Sequence, residues 1–165
     1  MAFDCFLKID GIPGESTDDK HKDWIEVLSF KHGVSQSAGG TRSTAAGSTG
    51  AGCSHGEFSI TKTLDKASPK LALYCCNATN IKEVTIELCR AVGDKQKYME
   101  YKLSNVIVSS VRPEGSPQSG GGLPVEEVSF NYGKIEWIYT ETDHRTGKPK
   151  GDVKTHWDKS TNKGG

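Results

Sequence analysis

The chain of 165 residues carries 21 Lys and Arg against 21 Asp and Glu, a formal charge of zero. Proteins that bind DNA or RNA usually show a basic excess or stripe, and neither is present; no run approaches eighteen apolar residues, so no membrane insertion is expected. Near-zero charge also weakens the repulsion between copies, which is compatible with self-association.

The first strand is expected over residues 3–10, with Phe3, Cys5, Leu7 and Ile9 on one face and Asp4, Phe6, Lys8 and Asp10 on the other. Gly11-Ile12-Pro13-Gly14 ends it, and residues 15–22 follow as a polar, charged connection. Residues 23–36 read as one strand, in which Trp24, Glu26, Leu28 and Phe30 alternate with Ile25, Val27, Ser29 and Lys31. Residues 37–52 form a Gly/Ser-rich run with one charge, Arg42, and no large apolar side chain. Alone it cannot offset its ordering entropy and is expected to be mobile; a loop this long inside a compact domain is often functional.

Phe58, Ile60 and Lys62 then alternate with Ser59, Thr61 and Thr63, after which the period changes. Ser68 offers an N-cap oxygen and Pro69 suits the first helical position, so one short helix is expected to about Asn77. Strands follow over 81–92 and 97–111, joined by a hairpin turn at 93–96, and a flexible loop over 112–122. Residues 124–142 supply two more strand stretches with a bend at Gly133, residues 154–158 a last short strand, and 159–165 a frayed tail. Six to eight strands with one helix indicate a mainly β fold in one domain over residues 1–165, a sandwich or a closed barrel.

Chemistry is sparse. Cys53 and His55 could supply two metal ligands, but no second half of a four-ligand site accompanies them, so no metal is expected. Five cysteines, with Cys75 and Cys76 adjacent, make a poor disulfide framework and read as reduced thiols. Cys5 shares its face with Leu7 and Ile9 and reads as core. The glycines at 47–52 lack the Gly-Lys-Ser/Thr ending of a phosphate loop. Trp24, Trp137, Tyr139 and Trp157 could form a stacking platform, which leaves a carbohydrate-binding β-sandwich using Trp137 and Tyr139 as the alternative function. No catalytic constellation and no cofactor site emerge. The N-terminus lacks a basic region and an apolar run, so the protein is expected in the cytoplasm, with any export by a route without a cleaved signal.

Several blocks in order carry a resemblance: MAFDCFLKIDGIPGEST, IEVLSFKHGVSQS, FSITKTLDKASPKL, YKLSNVIVSSV and PVEEVSFNYGKIEWIY. The whole chain resembles the haemolysin-coregulated protein (Hcp) family, the tube subunits of the bacterial type VI secretion system. That resemblance implies a small β-barrel of two sheets with one short flanking α-helix. It further implies a non-enzymatic protein whose six copies form a ring, with rings stacking into an exported tube that carries effector proteins in its lumen. Spike, sheath and baseplate components would be its partners. By the same resemblance, Ser29, Lys31 and His32 are candidates to face the lumen. The long loop, with Ser37, Gly40, Thr41, Arg42, Ser43, Thr44, Ser48 and Thr49, is the candidate contact to neighbouring subunits and the adjacent ring.

Overall fold

The computed structural model describes residues 2–36, 53–91, 93–118, 120 and 122–165. Its strands are β1 (Phe3–Ile9), β2 (Ile25–Val27), β3 (Ser29–Lys31), β4 (Val34–Gln36), β5 (Cys53–His55) and β6 (Phe58–Thr63). After the helix α1 (Ser68–Asn77) come β7 (Ile81–Arg90), β8 (Lys97–Glu114), β9 (Val125–Thr142), β10 (Pro149–Asp158) and β11 (Lys163–Gly164). The mainly β class, with one helix among the described residues, is as expected.

All described pairings are antiparallel, and nine strands make one sheet in the order β11-β10-β9-β8-β7-β1-β2, with β6 joining β9 and β3 joining β6. The long β9 explains the branching: its first half pairs with β6, from Phe58↔Phe130 to Thr63↔Val125, and its second half pairs with β10. The expected barrel is not a closed ladder here. The expected strand over 23–36 breaks into three pieces, because β2 completes the edge of β1 whereas β3 completes the edge of β6. Between them stands Leu28, whose N–H already bonds Thr61 O at 2.8 Å. The circuit of strands is thus joined at that point by the main chain and not by a ladder. The second sheet is small, the hairpin of β4 and β5 with Val34↔His55 and Gln36↔Cys53 opposed.

The core follows the two-residue period. Leu7, Ile25, Phe58, Ile60, Ile86, Leu103, Phe130 and Ile135 point to one interior, and Leu71 of α1 enters it. Lys62 falls on the same face as Phe58 and Ile60 and is fully buried. Its ammonium group lies 2.5 Å from Glu126 Oε1 and 2.8 Å from Asp65 Oδ1. This network alters the expected helix cap. Ala67, not Ser68, is the capping position, and Ser68 is the first helical residue. The Ser68 hydroxyl is claimed by Glu126, to which it donates at 2.6 Å, while Asp65 Oδ1 accepts the Ala67 N–H. Pro69 does sit in the first turn, where its missing N–H leaves no bond unmade. Residues 159–165, expected to fray, turn back as β11, and the His156 and Gly165 backbones exchange two hydrogen bonds.

Candidate functional site

Ser29 and Lys31 of β3 lie opposite Thr61 and Ser59, and these in turn lie opposite Glu127 and Ser129 of β9. Alternation therefore collects small polar side chains on one surface. Ser29, Lys31, Ser59, Thr61 and Glu127 line a shallow depression of roughly 150 Å³. The Lys31 side chain is 73% exposed, with its ammonium 3.7 Å from Glu127. Such a surface offers hydrogen bonds and one weak surface ion pair.

His32 is placed differently. Just past β3, its ring stacks on Phe58 at 5.3 Å, and its Nε2 lies 2.7 Å from the Tyr132 hydroxyl. His55 of β5 reaches the same hydroxyl through Nδ1 at 2.9 Å, and its ring stacks on Trp157. A phenol has one proton, so it can donate to only one of the two rings, and the other must donate to it. Burial holds His32 below the ordinary histidine value, and the nearby His55 adds to this. Burial likewise lowers His55, with help from the Lys159 ammonium. Tyr132, itself buried, is pushed up to about 12. The cluster is thus built around two neutral imidazoles, and it roots the β4–β5 hairpin on the main sheet.

The hairpin is the base of the long segment 37–52. Ser37, Gly40, Thr41, Arg42, Ser43, Thr44, Ser48 and Thr49 lie outside the described residues. Beneath the hairpin is a groove of roughly 500 Å³ lined by Val34, Cys53, His55, Trp137, Trp157 and the C-terminal glycines, among others. The four aromatic residues are not gathered into one platform. Trp24 meets His21 edge-on at 4.8 Å, while Trp137 and Trp157 line the groove and Tyr139 is half exposed.

One cluster escaped the sequence. Residues 15–22 read as a polar, charged connection, yet Ser16 and His21 are buried there. The connection folds as a flap over the outer face of β1 and β7: Gly14 N–H bonds Asp23 O, and Ser16 N–H bonds Trp24 O. A side chain at Gly14 would collide with the Trp24 carbonyl at 2.4 Å, so only glycine permits this approach. The His21 ring stacks on Phe6 at 4.1 Å, with Nδ1 2.7 Å from Asp18 and Nε2 2.6 Å from Glu87. Cys89 Sγ lies 3.8 Å from the same Nε2. Burial and the surrounding carboxylates raise the Cys89 thiol to about 11, and burial raises Cys5 to about 12. All five cysteines are free thiols. Period two could have placed Phe6, Glu87 and Cys89 on one face, but nothing local to His21 shows that the flap folds back onto them.

Comparison with known proteins points in one direction. The family model described as "Type VI secretion system effector, Hcp" matches residues 6–139. The chain is 31% identical over 158 residues to Protein hcp1 of Pseudomonas aeruginosa, covering 95% of each. Among solved structures, a type six secretion system protein superposes with a TM-score of 0.89 at 36% identity, over 99% of this chain and 100% of that one. Hcp1 from Salmonella typhimurium superposes with a TM-score of 0.79 at 31% identity, over 99% of both chains.

Proposed function

Because the chain belongs to the Hcp family, the secreted tube proteins of the type VI secretion system, we propose that six copies close into a ring, that rings stack into a tube, and that effector proteins travel in its lumen. The observation that carries this reading is the match to Hcp proteins in sequence and backbone over nearly the whole chain, in a family of structural proteins and not of enzymes. A second observation supports self-assembly. The core-facing side of β9 and β10 continues beyond the core onto Tyr139, 49% exposed, and Val153, 63% exposed. An apolar surface of this kind is usually covered by a partner, and the ring supplies one. In this reading the circuit of strands joined at Leu28 is the wall of a small barrel, and the helix lies outside it.

Ser29 and Lys31 then face the lumen, whereas His32 anchors the hairpin that carries the long loop to its neighbours. Spike, sheath and baseplate components contact the assembled tube.

Size-exclusion chromatography with negative-stain microscopy tests the assembly: six-fold rings are expected, and a strict monomer at high concentration would sink the reading. Lys31→Glu is expected to change effector retention in a pull-down while rings persist. Loss of rings in that variant would place Lys31 at a subunit interface instead.

A further inference from the structure

We propose that His21, Glu87 and Cys89 form a binding site for one zinc ion, with Asp18 orienting the imidazole from behind. Nothing in this inference depends on ring formation or cargo.

The ligand atoms converge already. His21 Nε2, a Glu87 carboxylate oxygen and Cys89 Sγ all lie within 4.8 Å of one another, in a mostly buried setting. Zinc bonds of about 2.0–2.3 Å put tetrahedral ligand atoms roughly 3.2–3.7 Å apart. The Nε2 to Sγ separation of 3.8 Å is close to that, and the Glu87 oxygen, 2.6 Å from Nε2, needs only to withdraw by a fraction of a bond length. Glu87 and Cys89 stand two apart on β7, hence on one face, while His21 arrives from the flap. A solvent molecule would complete the tetrahedron on the side of Glu87, whose side chain is 16% exposed against 4% for His21.

The surroundings fit a cation. Asp18 Oδ2 accepts from Nδ1 at 2.7 Å, the carboxylate–histidine arrangement that fixes the tautomer and makes the other nitrogen a better ligand. Phe6 and Trp24 hold the ring in plane and at its edge. The nearby lysines take the outward oxygens: Lys95 bonds Asp4 and Asp18 Oδ1, and Lys97 meets Glu100 and Glu87 Oε1. The pairing of β7 with β8 shifts register between Leu88 and Cys89, and this sets Lys97 opposite Cys89, beside the facing pair Glu87 and Glu100. With Lys102 near Glu100 as well, the carboxylates of Asp4, Asp18, Glu87 and Glu100 still outnumber the ammonium groups by one, four against three. Glu87 Oε2 is left facing inward. A mixed nitrogen, sulfur and oxygen set favours zinc over magnesium or calcium, which take oxygen alone.

On binding, the ion takes one lone pair from each ligand. The Cys89 thiol gives up its proton, and so does the short contact between Nε2 and Glu87; both go to solvent, while Nδ1 keeps its proton for Asp18. The ion would pin the flap to β7.

The test uses the full chain, with Cys53→Ser and Cys76→Ser removing the exposed thiols, stripped with chelator and titrated with Co²⁺ and then Zn²⁺. One equivalent of ion, a near-ultraviolet thiolate-to-cobalt absorption and proton release are expected. Cys89→Ala should abolish that absorption and weaken Zn²⁺ binding at least tenfold. Asp18→Asn should keep the absorption but weaken affinity about 10- to 100-fold, the usual cost of losing such an orienting partner. Absence of stoichiometric binding overturns the proposal, because His21 is then only a clamp between two carboxylates. Binding unchanged in Cys89→Ala overturns it too. Should Cys89→Ala fail to fold, Glu87→Gln, which conserves shape, decides: unchanged Zn²⁺ affinity refutes the site, and a loss of at least tenfold upholds it.

Discussion

The Tyr132 hydroxyl serves two imidazoles, accepting from one and donating to the other, so at least the ring that takes its proton must stay uncharged. His32 and His55 both have values below the ordinary one of about 6.5 in the folded chain. The unfolded chain therefore binds more protons once the pH drops below about 6.5. The stabilisation is complete above that value and is lost as the pH falls from it towards the lowered folded values. Thermal unfolding followed between pH 7.5 and 5 should show the melting temperature falling with acid, and His32→Gln should flatten that dependence. An equal slope in the variant would assign the effect to other groups. Tyr132→Phe should cost about 1–3 kcal/mol by denaturant titration, the usual penalty for stranding buried hydrogen-bonding partners. Little of this was legible beforehand. Alternation in residues 23–36 groups His32 with its strand, whereas its actual position is set by Phe58 and Tyr132, distant in sequence and adjacent only after β6 and β9 pair.

At the scale of elements, local period fixed type better than partner. The switch from strand to helix between Phe58 and Leu73 was visible because Pro69 and the change of period are local signals. The division of residues 23–36 into β2, β3 and β4 was not, since it is set by the strand each piece meets, which nothing local shows. Lys62 shows both sides. Its place in the alternation put it on the core face, but its partners Glu126, Asp65 and Ser68 could not be read from that. Removing one member of a buried ion pair leaves an uncompensated charge, so Lys62→Ala should destabilise by about 3–5 kcal/mol in urea titration. The double change Lys62→Met with Glu126→Leu should recover most of that loss. If it does not, the Ser68 and Asp65 bonds at the start of α1 matter more than the charge pair.

For the whole molecule, composition and turn spacing indicated a mainly β fold, and the ordered blocks indicated the family, because both are spread over the chain and survive errors at single residues. The flap that carries His21 was missed, because a polar connection looks the same whether it is solvated or folded back. Removing residues 38–50 is expected to leave the thermal transition of the subunit nearly unchanged while impairing ring stacking by microscopy; unfolding of the subunit would show that the segment belongs to the core. One last consequence lies at Leu28, which belongs to neither the β1–β2 ladder nor the β3–β6 ladder although its own N–H is bonded to Thr61. If the chain forms the wall of a tube pushed out of a cell, as proposed above, that wall carries mechanical load. Tension between the β1 edge and the β6 edge would pass through the covalent backbone at Leu28, which cannot unzip. The wall could then part there only by stripping one of two three-residue strands, β2 or β3, from its neighbour. Leu28 thus acts as a rivet between two short fastenings, and those fastenings, not the rivet, set the load at which the wall would open.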